Sequence, residues 1–214
     1  LSQAVQFLDN EKRLGGTGFT VERMDGQKTG YGCRFPGVLS FVFGQRLAAR
    51  FLMDTPSALP WRVGKTDVRW SMCDVVFTSP LLIRLQAWRE SGSMNAKEFP
   101  FTDSDLEWCR RATEHGWPMA VLDLPGVVHD NGGAVSQWSG RRVLWFHQSR
   151  MRLLSQWYPV RAVAIIPLLF FRHVFEVIVL ALTSIRSSGA RQALPTRIKL
   201  LKGVWTRYAS VLAP

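Results

Sequence analysis

Two aspartates stand two residues apart in the segment FTDSDLEW and are the first candidates for chemistry. Asp103 and Asp105 lie just before a run of apolar residues at helical spacing. A carboxylate held at the start of a helix can act as a general base if a hydroxyl lies within hydrogen-bond distance. Ordinary capping explains the same residues, because Thr102 followed three positions later by Asp105 approximates a capping box. Spacing alone therefore favours capping, and catalysis needs further support.

A second candidate group lies in the segment VVHDNGG. His129 and Asp130 end a predicted strand, and Gly132 and Gly133 would let the chain approach a ligand closely. An imidazole can bind a metal ion or exchange a proton near neutral pH. A turn at the end of a strand, with a hydrogen-bonded histidine, is the alternative, and the segment alone favours it.

The pattern of apolar residues, glycines and prolines predicts the elements that must position these residues. The first third of the chain predicts a helix at 1–12, a hairpin around Phe19, Val21 and an Asp25–Gly26 turn, a weak helix at 35–50 and a loop at 54–66. A strand at 68–77, a helix from Pro80 to Gly92 and a helix from Thr102 to about His115 should follow. We then expect strands in MAVLDL and GVVHD and helices from Arg141 onward. This alternation predicts an α/β fold in which helices flank a mixed sheet and further helices follow it. The strands are few, so we expect the sheet to be part of a larger domain.

The net charge of +11 is confined to the C-terminal part of the chain. Residues 1–130 contain 15 Lys and Arg and 15 Asp and Glu, whereas residues 131–214 contain 12 Lys and Arg and one acid, Glu176. Long aliphatic runs separate these basic residues, unlike the exposed aromatic and glycine pattern of proteins that bind single strands. Nucleic acid is therefore not the expected partner.

Residues 162–182 form an apolar run about long enough to span a bilayer. Arg172, His173 and Glu176 interrupt the run near its middle, where charged groups are costly in lipid. The three side chains share one side of a helix, so we expect the apolar face to lie in the membrane surface, with flanking basic residues on anionic headgroups of the cytoplasmic leaflet. Packing against the rest of the protein or another subunit is the alternative.

The three cysteines do not predict a metal site or a disulfide framework. Cys33, Cys73 and Cys109 are scattered and odd in number, without the paired spacing of zinc ligands. We expect buried thiols in a reducing compartment, and the location of the protein must be inferred from other features.

Three segments, taken in order, resemble the second half of a family 2 glycosyltransferase, the inverting GT-A group that includes bacterial rhamnosyltransferase-like enzymes. They are DVVFTSPLLIRLQAWRESG from Asp74, then FPFTDSDLEWCRRATEHGWPMAVLDLPGVVHDNGG, then SRMRLLSQWYP. The resemblance covers roughly residues 14–160. It implies that residues 1–158 are the acceptor-side part of a GT-A domain and that 159–214 are an apolar, basic helical tail.

The resemblance also implies roles for individual residues. Asp103 would be the base that deprotonates an acceptor hydroxyl as it attacks the anomeric carbon and displaces nucleoside diphosphate with inversion. His129 would help to hold a divalent metal, Mg²⁺ or Mn²⁺, on the diphosphate. The residues implied in substrate binding are Asp74, Thr78, Asp105 and Arg150. The implied partners are a nucleotide-sugar donor and a glycan or lipid-linked acceptor, in polysaccharide or cell-surface glycan synthesis.

The sequence departs from the family pattern at three places. Thr102 stands where relatives often have Glu, and Thr78 and Ser79 stand where they often have Gly and Ala. The DXD motif that holds metal and nucleotide would precede the helix at 1–12, and none stands there, so we expect the donor-binding half upstream of Leu1. A non-enzymatic basic protein that binds membranes or nucleic acid, and an inactive truncated relative, remain the alternatives.

Overall fold

The structure is a computed structural model that describes residues 1–22, 26, 28–29, 32–43, 62–63, 67–78, 80–100, 102–128 and 140–212. The chain divides into two compact units. The first comprises residues 1–35 and 49–136, and the second comprises residues 36–48 and 137–214. This division does not coincide with the boundary predicted at residue 158, because the helix before that boundary packs with the helices after it.

The first unit combines strands and helices. Its described elements are α1 (Ser2–Asn10), β1 (Gly16–Phe19), β2 (Val21–Glu22), β3 (Lys28–Thr29), β4 (Arg62–Val63), β5 (Arg69–Cys73), β6 (Leu81–Ile83), α3 (Leu85–Ser91), α4 (Ser104–Glu114) and β7 (Met119–Leu122). The described elements of the second unit are all helices: α2 (Val38–Phe43), α5 (Gly140–Trp157), α6 (Pro159–Ser184) and α7 (Ser188–Leu212).

Five strands of the first unit form a mixed sheet in the order β4-β5-β7-β1-β6. Strands β1 and β7 at its centre are parallel, and the other neighbouring pairs are antiparallel. The short strands β2 and β3 form the predicted hairpin, and Gly26 in its turn has a φ of 79°. A mixed α/β architecture is therefore confirmed.

The helix predicted to begin at Pro80 begins instead at Leu85, and this part of the prediction is wrong. Residues Leu81–Ile83 form β6 and pair with Gly16–Gly18 of β1. The pairing satisfies backbone groups of β1 that would otherwise face no partner on that side. A local proline signal is thus overridden by a long-range strand pairing, while Gly92 ends the helix as predicted, with a φ of 74°.

Three smaller predictions also need correction. The loop predicted at 54–66 contains β4, which pairs with β5. The strand predicted at 68–77 is shorter, Arg69–Cys73. In the strand predicted from GVVHD, the described part makes only an isolated bridge, between Val128 and Glu22. The strand in MAVLDL and the helices after Arg141 are confirmed.

The core of the first unit contains the contact between α1 and the sheet. Phe7 of α1 meets Trp70 of β5 edge to face, with ring centroids 5.4 Å apart. Leu122 of β7 belongs to the same buried cluster. Burial of these side chains on the sheet supplies most of the driving force for this packing.

Helix α6 is the most apolar element of the second unit. By length and composition it is the one helix in the described part of the chain that could cross a membrane. Of its most apolar window of 18 residues, 22% is buried within the protein. The remainder is partly or fully exposed, which is uncommon for the core helix of a soluble protein.

Candidate functional site

Asp103 is the residue immediately before α4 and has an unusual backbone. Its φ of 67° and ψ of 5° place it in the left-handed region, and its side chain makes no capping hydrogen bond to the helix. The residue is 5% exposed. Left-handed conformations are uncommon for residues other than glycine and are concentrated at functional sites.

The capping box predicted from Thr102 and Asp105 is not formed. The N-cap is Asp103, and the buried Thr102 Oγ1 has no hydrogen-bond partner among the described residues. Asp105 lies in the first turn, where its Oδ1 accepts a hydrogen bond from the backbone N–H of Leu106 at 3.0 Å. The capping box therefore does not account for the acidic pair, and Asp103 occupies the N-cap position without a side-chain capping hydrogen bond.

Helix α4 is held firmly against α3. The indole Nε1 of Trp108 donates to the carbonyl of Gly92 at 2.8 Å, and its ring centroid lies 5.7 Å from that of Trp88. Arg111 donates to the carbonyls of Ser91, the last residue of α3, and of Ser93 just after it, and pairs with Glu107 within α4 at 2.9 Å. Asp103 is thus placed by a rigid helix, as a reacting group requires.

The direction of α4 places Asp103 at one edge of the sheet. Only four residues, His115–Pro118, join α4 to β7, so the helix runs back along the sheet, antiparallel to β7. Eleven helical residues span about 16 Å and four strand residues about 13 Å, so the start of α4 lies toward the carboxyl ends of β7 and β1. Ligands of α/β sheets bind at this edge.

A polar cluster that sequence reasoning missed occupies the same edge. Thr20 follows β1 and Asp123 follows β7, and the Thr20 hydroxyl donates to Asp123 Oδ1 at 3.2 Å. Arg69 Nη1 lies 3.6 Å from Asp123 Oδ2. Polar residues directly after two strands were a visible signal, but recognising it required knowing that β1 and β7 are parallel neighbours.

The structure places Thr78 near this edge and Asp74 at the opposite one. Cys73 pairs with Met119 at the start of β7, so Asp74 lies near the amino end of that strand. Its Oδ2 accepts a hydrogen bond from the N–H of Phe35 at 2.9 Å. A Cβ on Gly18 would lie 3.0 Å from Val76 Cβ, so the chain after Asp74 crosses the sheet toward the carboxyl ends.

Thr78 lies on the far side of this crossing and is exposed. After the turn that contains it, Leu81 returns to pair with Gly18. Of the residues implied in substrate binding, Thr78 and Asp105 therefore lie toward the edge that carries Asp103, whereas Asp74 does not. Arg150 belongs to the second unit, where its guanidinium carbon lies 5.0 Å from the ring centroid of Phe146.

The three cysteines are confirmed as buried free thiols. Burial raises the pKa of Cys109 to about 12. Burial, together with the neighbouring Cys109 and Cys33, also raises the pKa of Cys73 well above its usual value. Protonated thiols are poor nucleophiles and poor metal ligands, so these residues have a packing role.

The predicted metal ligand His129 and its neighbour Asp130 lie outside the described residues. The last described residue before them is Val128, which forms an isolated parallel bridge with Glu22, the last residue of β2. Within the described ranges, no group of three or more His, Cys, Asp or Glu side chains is arranged to hold a metal ion.

Comparison with known proteins gives no assignment. No family model matches the chain, no curated protein matches it significantly, and no solved structure does so.

Proposed function

We propose that this chain is the acceptor-side part of an inverting glycosyltransferase with a GT-A fold. The reaction would move a sugar from a nucleotide-sugar donor to a hydroxyl of a glycan or lipid-linked acceptor. The observation that carries the proposal is Asp103, a buried carboxylate with a left-handed backbone that its helix does not use as a cap. The ordered sequence resemblance gives that carboxylate its role.

In the proposed step the Asp103 carboxylate accepts the proton of the acceptor hydroxyl. The hydroxyl oxygen forms a bond to the anomeric carbon as the bond to the nucleoside diphosphate breaks, and configuration inverts. The partial positive charge at the start of α4 favours a carboxylate at this place. Thr78 lies toward the same edge and is proposed to contact the donor sugar, and Asp105 the acceptor.

A divalent metal would neutralise the diphosphate leaving group. The described residues do not assemble a ligand set for it. The sequence resemblance assigns His129 to this role, with the other ligands on the donor half. The step at Asp103 requires only its own carboxylate, the acceptor and the donor.

The proposed location is the cytoplasmic face of the cell membrane, where the protein would be peripheral. Helix α6 is long, apolar and mostly unburied, which supports contact with lipid. A lipid-linked acceptor would be presented at that surface, so attachment would raise its local concentration.

The test is Asp103→Asn in the enzyme that includes the donor-binding half. Loss of the base should lower turnover by about 10²- to 10⁴-fold, with little change in the affinity for the donor. Asp67→Asn is the matched control, because Asp67 is the other described non-glycine residue with a positive φ and is exposed. Wild-type transfer by a folded Asp103→Asn protein would refute the assignment of the base.

A further inference from the structure

An apolar stripe runs along the outward side of α6. Its members recur every three or four residues and are between 50% and 77% exposed: Leu168, Phe171, Phe175, Ile178, Leu182 and, just past the helix, Ile185. This spacing places them on one face of the helix. Monomeric soluble proteins rarely expose a continuous apolar face of this kind, and such faces mark docking surfaces.

The charged residues in the middle of α6, Arg172 and Glu176, and the buried His173 contact other parts of the second unit or one another. Glu176 accepts from Arg172 Nε at 3.0 Å, contacts His173 Nδ1 at 2.9 Å and lies 3.4 Å from Arg197 of α7. Arg172 also donates to the backbone carbonyl of Val42. The side expected from sequence to face water is therefore used for packing, and the outward face of α6 is its apolar one.

The positive charge of the second unit indicates which kind of partner the stripe would bind. Residues 36–48 and 137–214 contain 13 Lys and Arg and a single acid, Glu176, a formal charge of +12. That acid is already paired with Arg172 and Arg197. Arg161 and Arg186, near the two ends of the stripe, are exposed. A second copy of so basic a unit would be repelled, whereas an anionic lipid surface would attract it.

Crossing the bilayer would be costly for this unit. Its longest partner helix, α7, packs along α6 and contains Arg191, Arg197, Lys199 and Lys202. Each such charge at the centre of a bilayer costs about 2.5–3.5 kcal/mol even on permissive scales. An orientation parallel to the surface keeps these charges among headgroups and places only the stripe in the acyl region.

We propose that the second unit binds anionic membranes through the stripe, with α6 lying in the plane of the surface. The inference rests on this unit alone and stands or falls independently of the proposed transferase activity. Phe171, Phe175 and Leu182 would enter the acyl boundary, while Arg161 and Arg186 would contact lipid phosphates.

The first experiment measures binding of the 214-residue chain to vesicles of phosphatidylcholine, alone or mixed with phosphatidylglycerol. The triple variant Phe171→Gln, Phe175→Gln, Leu182→Gln should bind the mixed vesicles at least about tenfold more weakly, because it replaces three exposed apolar side chains that would enter the lipid. The matched control is Val5→Gln, Val63→Gln, Leu85→Gln, which replaces exposed apolar residues of the first unit and should bind like the parent.

Undiminished binding by the stripe variant would overturn the proposal. So would a parent chain that ignores vesicles but self-associates in lipid-free solution through the stripe, as shown by sedimentation equilibrium. Arg161→Gln with Arg186→Gln should weaken binding to the mixed vesicles only, and an equal loss on phosphatidylcholine alone would exclude the headgroup contact.

A second experiment tests the orientation. Leu168→Cys and Leu182→Cys are labelled singly with a fluorophore, since the native cysteines are buried, and quenched by lipids that carry nitroxides at known depths. The two positions are separated by about 21 Å along the helix. Equal depths are expected for a helix in the plane of the surface, and a depth difference approaching that length would show spanning.

Discussion

The two units of this protein differ in the arrangement of the apolar residues that they leave exposed and in their net charge. The first unit buries its large apolar residues under α1 and α4, and its 14 Lys and Arg nearly balance its 15 Asp and Glu. The second unit leaves a row of aromatic and aliphatic side chains exposed and has a formal charge of +12, against −1 for the first unit. The first unit carries the proposed site, and the second unit carries the stripe that we propose binds membranes.

The buried polar groups of the two units differ in the same sense. In the first unit, Asp103 is buried at the start of a helix that does not use its side chain as a cap. In the second unit, the buried His173 belongs to a cluster of charged side chains around Glu176, which also includes Arg172 and Arg197. A cluster of paired charges within a helical unit helps to fix the packing of its helices.

The largest expected effect is on the free energy of unfolding, when one tryptophan of each unit is replaced by alanine. Trp108, which is fully buried in the first unit, should cost about 3–5 kcal/mol of stability when replaced by Ala. Trp205 of the second unit is 54% exposed, and Trp205→Ala should cost less than about 1 kcal/mol. Urea unfolding followed by circular dichroism measures both changes.

Equal losses from these two variants would break the comparison, because the exposed aromatic side of the second unit would then be structural. Trp88→Ala offers an intermediate case, since Trp88 stacks near Trp108 and is half-buried. Its loss should fall between the other two.

Much of the first unit was predictable from local sequence, and the failures share one cause. The hairpin, the strand in MAVLDL and the helix after Asp103 follow from periodicity and turn residues. The Pro80 signal was misleading because Leu81–Ile83 is a strand only through its pairing with β1, in which Leu81 is the partner of Gly18, 63 residues earlier in the chain. Strand pairings between residues so far apart in sequence cannot be recognised from the residues of a short segment alone.

The candidate site was predictable in part. The position of Asp103 at a helix start follows from the sequence, but its left-handed backbone does not, because aspartate is also a common ordinary cap. Thr20 and Asp123 were missed since their proximity depends on which strands are neighbours. In α6 the sequence placed Arg172, His173 and Glu176 on one side correctly, but only their contacts show that this side faces inward.

A pH titration should separate the network of the second unit from the exposed histidine of the first. Burial, and then the charges of His173, Arg197 and Arg172, lower the pKa of His147 from 6.5 to about 3, against an opposing effect of Glu176. Between those pH values His147 is protonated in the unfolded chain and neutral in the folded chain. Stability should therefore fall with falling pH in this window, by up to about 1.4 kcal/mol per pH unit.

Replacement of His147 by Phe should remove this slope, as measured by urea unfolding at a series of pH values. His115→Gln is the control, because His115 is exposed on the first unit, and the slope should persist in it. Glu176, with a pKa lowered to about 2, adds a further loss of stability below pH 4.5, the range in which its unfolded form takes up a proton first. A slope that survives in His147→Phe between pH 6.5 and 4.5, above the range in which Glu176 contributes, would place the titrating group elsewhere.

The smallest expected effect bears most directly on Asp103. Glycine adopts a φ of 67° without strain, so Asp103→Gly should be about 1 kcal/mol more stable than Asp103→Ala. The same pair of substitutions at Asp67, with a φ of 56°, measures the backbone contribution at an exposed site. If the Asp103 carboxylate serves a reaction rather than the fold, Asp103→Gly should retain the parent's stability as closely as Asp67→Gly does. A much larger loss of stability in Asp103→Gly than in Asp67→Gly would show that the Asp103 carboxylate stabilises the fold. The proposed site in the first unit would then lose its main support, whereas the proposed membrane contact of the second unit would be unaffected.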